Sequence, residues 1–143
     1  MPIAADESVR KAEDPLRVAR AGAADLLVIK AQPLGGIHRA LRITREAGLP
    51  VVVSSALDTS VGISMAAHLA AAIPELPHDC GLGTVSLFVE DVVAEPLVPV
   101  DGKIAVRRVS PDARLLDAHA VDADRREWWL DRIRRTHAVL AGA

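Results

Sequence analysis

Asp25-Leu26-Leu27-Val28-Ile29-Lys30 and Gly48-Leu49-Pro50-Val51-Val52-Val53-Ser54-Ser55 are short, almost wholly apolar, rich in branched residues and bounded by turn formers. A strand with one wet face alternates polar and apolar residues, so unbroken runs of this kind indicate parallel strands covered on both faces. Between them, Gly35-Gly36 opens a segment whose Ile37, Ala40, Leu41, Thr44 and Ala47 recur at helical spacing, and Gly48 and Pro50 close it. Upstream, Asp14-Pro15 is an N-cap and first-turn pair for a short helix ending near Gly22. Downstream, residues 59–73 are Ala-rich and lack Asp, Glu, Lys and Arg, which suits a buried helix that Pro74 stops. Residues 2–5 supply a preceding strand and residues 79–84 a shorter fourth one. Alternating β and α with short connections implies parallel strands joined by right-handed crossovers, hence an α/β fold, either an open sheet or a barrel.

Composition bounds the function. The 143 residues, 50% hydrophobic and 25% charged, fit one compact unit and exclude disordered or collagen-like classes. With 17 basic and 19 acidic residues the net charge is -2, spread without like-sign blocks, so nothing forms an electrostatic footprint for nucleic acid. Aromatic residues are only 2%, which removes base-stacking platforms. The single Cys80 permits neither an internal disulfide nor a thiolate metal site and fits a reducing compartment. Met1-Pro2-Ile3-Ala4-Ala5-Asp6-Glu7 lacks the order of a secretory signal. Residues 59–74, interrupted by Ser60, Gly62, Ser64 and His68, fall short of the roughly 20 apolar residues that span lipid. The expectation is a cytoplasmic protein with neither a membrane nor a nucleic-acid partner.

From Val92 onward the character changes. Residues 94–106 form an extended segment with a hairpin at Asp101-Gly102, dividing βα units over residues 1–97 from an extension over residues 98–143. That extension ends in a helix running from near Asp122 towards Gly142, with Trp129, Ile133 and Leu140 on one face. Trp128-Trp129 is expected to pack this helix onto the rest, while Arg125, Arg126, Arg132, Arg134 and Arg135 form a solvated basic side.

Each strand is apolar until its C-terminal end and then delivers Asp6-Glu7, Lys30, or Ser54-Ser55. In barrels and open parallel sheets that end is where sites are built. Asp6 is a candidate hard-metal ligand or a helix cap. Lys30 is a candidate acid/base or electrostatic group, or a snorkelling surface residue. Ser54 and Ser55, with the start of the following helix, would hold a substrate carboxylate or simply cap that helix. Gly35-Gly36 and Gly81-Leu82-Gly83 match neither a P-loop nor a dinucleotide fingerprint and read as turn glycines or anion cradles. His38, His68, His78, His119 and His137 show no metal-ligand spacing. A flavodoxin-like phosphoacceptor would place its hydroxyl before its lysine, whereas Lys30 precedes Ser54.

Four passages carry a family resemblance: Pro2-Ile3-Ala4-Ala5-Asp6-Glu7-Ser8; residues 25–30 with Pro33-Leu34-Gly35-Gly36; Val53-Ser54-Ser55-Ala56-Leu57-Asp58-Thr59-Ser60-Val61-Gly62; and Cys80-Gly81-Leu82-Gly83-Thr84. In order and spacing they resemble the enolase superfamily, and within it the o-succinylbenzoate synthases. Asp101-Gly102-Lys103-Ile104 resembles the passage where that family returns from the barrel to its capping domain, and the likeness thins beyond about residue 110. The resemblance implies the C-terminal half of a modified TIM-type (β/α) barrel with a C-terminal extension. Asp6 would be the last of three acidic Mg²⁺ ligands, Lys30 the lysine facing the substrate, and Ser54, Ser55 and Gly83 would lie beside a small-molecule carboxylate substrate. The implied reaction is dehydration of a cyclohexadiene carboxylate (SHCHC) to 2-succinylbenzoate in menaquinone biosynthesis. N-acylamino acid racemases and muconate cycloisomerases share the scaffold, and a non-catalytic α/β binding or assembly module is the reading from another class. The family's Lys-X-Lys strand and two further acidic ligands have no counterpart, since the only lysines are Lys11, Lys30 and Lys103. A complete barrel takes about 250 residues. The expectation is therefore a truncated chain, inactive alone, that needs an N-terminal barrel half or self-association to cover its open edges.

Overall fold

The computed structural model describes residues 1–142. Strands β1 (Ala4–Ala5), β2 (Leu26–Ile29) and β3 (Val51–Val53) form one parallel sheet in the order β1-β2-β3. The intervening helices are α1 (Asp14–Arg20) and α2 (Ile37–Ala47), and α3 (Ser60–Ala72) follows β3. This is the expected α/β alternation, with strands shorter than the apolar runs suggest. The sheet does not close into a barrel. The expected fourth strand is reduced to a parallel bridge between Ser54 and Gly81, because Gly81 and Gly83 bring no side chain to pack and weaken any strand they occupy.

The helix boundaries follow local chemistry. Gly48 ends α2 in the left-handed region at φ 66°, where its N–H bonds back to the Thr44 carbonyl. Asp14 is the first residue of α1 rather than its N-cap, and its carboxylate accepts the Lys11 N–H at 2.8 Å. The expected hairpin is present: Val100 and Lys103 exchange backbone hydrogen bonds around Asp101 (φ 49°) and Gly102 (φ 71°). Two consecutive positive φ values match the twist of antiparallel strands.

Register separates the two faces of the sheet. Ala5 pairs with Leu27, Leu27 with Val51 and Ile29 with Val53. All five side chains are buried, and they join Ala40 and Ile43 of α2 and Ala66, Ala67 and Leu69 of α3 in the main core. Each fully buried aliphatic side chain contributes about 1.5–3 kcal/mol. Residues one step along point the other way. Leu26, Val28 and Val52 are only partly buried and take no part in either core cluster. Coverage of both faces is therefore not observed: the helices cover one face, and the second is open. Among the described residues, no layer covers the apolar run on that side.

The C-terminal region consists of α4 (Ala113–Ala118) and α5 (Ala123–Ala141), with Asp112 and Asp122 as side-chain N-caps. No residue of α5 is buried, so the tryptophans do not pack this helix onto the sheet domain. Trp128 and Trp129, 45% and 48% exposed, meet edge to face at 4.7 Å. The Arg132 guanidinium lies 5.8 Å and 6.0 Å from their ring centres. Trp129, Ile133 and Leu140 line a shallow groove with Thr136 and His137. Among the described residues, no helix is long and apolar enough to cross a membrane.

Candidate active site

The open face of the sheet and its C-terminal rim carry the polar residues. Ala4 and Leu26 are in register, so Asp6 falls beside Val28 on the open-face parity, and Lys30 follows two residues later on the same side. Asp6 stands at the N-cap position of a 3-10 turn (Glu7–Val9), yet its side chain caps nothing. It instead accepts a hydrogen bond from Lys30 Nζ, forming an ion pair. The Lys30 side chain is 11% exposed and that of Asp6 45%, so the ammonium sits inside the rim with the carboxylate at its mouth. Snorkelling to solvent does not describe Lys30. Asp6 takes one of its three N–H donors and leaves two for another acceptor.

Ser54 follows β3 in register with Lys30, its N–H bonded to the Ile29 carbonyl at 2.9 Å. The Gly81 backbone continues the row, donating to Val53 and accepting from Ser55, both at 2.9 Å. Asp6, Lys30, Ser54 and Gly81 therefore stand at the ends of four successive parallel segments. The two serines differ. Ser55 is buried, its hydroxyl engaged with the Gly81 carbonyl at 3.0 Å and Thr84 Oγ1 at 2.8 Å. Ser54 is partly exposed, and its hydroxyl makes only the longer contacts of 3.2 Å to the Ser55 carbonyl and 3.4 Å to that of Gly81. Ser54 therefore has the less committed hydroxyl, and Ser55 is tied into the rim. Gly83 is exposed beside them, its carbonyl accepting from Ser86 to close a second 3-10 turn (Thr84–Leu87).

At the start of α3 one backbone donor is already engaged. The Ser60 N–H donates to both Asp91 carboxylate oxygens, at 3.0 Å and 3.3 Å. Neither serine caps this helix, and Thr59 at the N-cap position makes no side-chain cap bond. Nothing near Asp91 in the sequence marks it, because the residue it caps lies 31 positions away.

Residues 1–112 match the enolase C-terminal domain-like family. The chain belongs to that family. This enolase C-terminal domain is 59% identical over 140 residues to the o-succinylbenzoate synthase of Mycolicibacterium smegmatis, covering 98% of the chain and 43% of that protein. It is 56% identical to that of Mycobacterium ulcerans, again with 98% and 42% covered. The chain thus spans less than half the length of the curated relatives it matches. Among solved structures, 2-chloromuconate cycloisomerase from Rhodococcus opacus superposes with a TM-score of 0.77 at 30% identity, over 85% of this chain and 35% of that one. The muconate lactonizing enzyme of Pseudomonas fluorescens gives 0.75 at 31% identity, with 82% and 34% covered. The family resemblance read from the four sequence passages is borne out.

The Mg²⁺ that the family implies does not fit this domain's own donors. Among the described residues, no three His, Cys, Asp or Glu side chains cluster to hold a metal. Asp6 offers one carboxylate, already paired with an ammonium, whereas Mg²⁺ demands octahedral oxygen coordination. Titrating the chain alone with Mg²⁺ is expected to give no saturable change in the Asp6 side-chain NMR resonances at submillimolar concentration. Saturation there would show a metal site complete within the chain.

Proposed function

We propose that this chain carries the Lys30 side of an o-succinylbenzoate synthase active site and works when residues it does not contain complete the set. The observation that carries the reading is the Asp6–Lys30 pair at adjacent strand ends on an otherwise uncovered sheet face. The 56–59% identity to enzymes named for that reaction selects it over the muconate cycloisomerases, matched at about 30%.

In the reaction a cyclohexadiene carboxylate loses a proton beside its carboxylate and then hydroxide from the ring, giving the aromatic 2-succinylbenzoate and water. Negative charge grows on the carboxylate oxygens as the proton leaves. Lys30, with donors in reserve and little water around it, stabilises that charge where it develops. Ser54 donates to the carboxylate-bearing tail, Gly83 leaves room for it, and Ser55 holds the rim in shape. Asp6 fixes the Lys30 ammonium, and its carboxylate would ligate Mg²⁺ only where residues this chain does not contain supplied the remaining oxygens. The exposed apolar groove of α5 would be covered by the same complementing portion, against which the extension over residues 98–143 would fold back.

Co-expression with the part of the M. smegmatis relative that this chain does not match tests the reading. The expected result is formation of 2-succinylbenzoate by the complex and by neither part alone. Trp128 and Trp129 are the only tryptophans in this chain, so with a complementing portion whose tryptophans are replaced, a blue shift of indole fluorescence on assembly reports cover over α5. A folded one-to-one complex without turnover, when the intact relative works, overturns the assignment.

A further inference from the structure

We infer that Asp91 is a positioning residue for the substrate side of the rim, acting through the first turn of α3 and the Thr84 hydroxyl; the inference deepens the reading that Ser54 and Ser55 form that side. Asp91 is 8% exposed. Burying a carboxylate is costly unless hydrogen bonds satisfy it, and among the described residues no cation forms a salt bridge with it. Its partners are the Ser60 N–H, the Ser60 hydroxyl and the Val92 N–H, the last at 2.7 Å. The fully buried Ser60 hydroxyl in turn accepts the Leu97 N–H at 2.7 Å. One negative charge thus caps α3 at its positive end and ties three separate segments into a buried knot.

The knot connects to the rim by packing. Ile63 in the first turn of α3, Val85 and Leu97 form the smaller core cluster. Val85 belongs to the 3-10 turn that Thr84 begins. Thr84 Oγ1 meets the Ser55 hydroxyl at 2.8 Å and accepts the Asp58 N–H at 3.4 Å. Loosening Asp91 frees Ser60 and Leu97, lets Val85 shift, and so releases the brace that Thr84 places on Ser55. Lys30 is anchored separately, by β2 and Asp6, and lies outside this path.

Hydrogen exchange on the full chain with Asp91→Asn, Asp91→Ala and Ser60→Ala tests the path without reference to activity. The Ser60, Leu97, Ser55 and Asp58 amides are expected to lose protection by about tenfold or more, with Leu27 and Ile29 changed by less than about threefold. Asp91→Asn, which keeps one acceptor oxygen, and Ser60→Ala keep the test open if Asp91→Ala unfolds. Loss at Ser60 and Leu97 alone, with Ser55 and Asp58 unmoved, overturns the inference whether or not the chain serves an o-succinylbenzoate synthase. In the active complex, Asp91→Asn is expected to raise KM by about tenfold with kcat within about threefold. A fall in kcat at constant KM also overturns it, while an inactive wild-type complex counts only against the enzyme assignment and leaves the exchange result to decide.

Discussion

Lys30→Ala is expected to lower kcat of the complemented enzyme by about 10²- to 10⁴-fold, the range associated with removing a positioned acid/base or charge-stabilising donor. The fold survives the change. Asp6, the partner left behind, is 45% exposed, so its carboxylate rehydrates rather than remaining as an uncompensated buried charge. The far-ultraviolet circular dichroism and urea midpoint of the isolated chain should move little. Lys30→Arg restores charge but not function, because a planar guanidinium cannot aim the same donors from the same depth. Steady-state formation of 2-succinylbenzoate by matched complexes provides the measurement. A loss below tenfold removes Lys30 from the chemistry and leaves the ion pair as a structural tie.

That lysine was legible because strand ends are visible in sequence. An apolar run that stops at a charged residue marks both a buried strand and the point where it meets the rim, and Lys30 and Ser54 come out in register. Gly48 and the Asp101-Gly102 turn were legible for the same local reason, since backbone torsions limit which residues fit. What the pattern hides is distance. The partition between a braced Ser55 and a freer Ser54 depends on Thr84, 29 positions from Ser55, and the true cap of α3 depends on Asp91. Neither leaves a local trace. The two-faced apolar character of β2 and β3 misleads about this chain for a further reason: composition records what a strand is built to meet, and the matched relatives are more than twice as long.

The unequal faces of the sheet give the second large effect. Leu27→Ala removes a fully buried side chain from the helix-covered face and is expected to cost about 2–5 kcal/mol. For a domain with one sheet face open, whose margin lies at the low end of the roughly 5–15 kcal/mol typical of folded proteins, the upper part of that cost approaches the whole of it. The variant chain should be largely unfolded at 37 °C. Val28, its neighbour in β2, is only partly buried and outside the core, so Val28→Ala should cost about 1 kcal/mol or less in the isolated chain. Urea midpoints with unchanged slopes would measure both. Docking of a complementing barrel portion raises the cost for Val28. Once its side chain is covered, truncation leaves a cavity, and the cost should rise towards about 2 kcal/mol, read as weaker assembly. Equal costs for the two variants in the isolated chain, or a Val28 cost indifferent to the partner, would show that the second face is not where the missing residues sit. The Asp6–Lys30 rim would then be facing solvent and not the interior of a completed barrel.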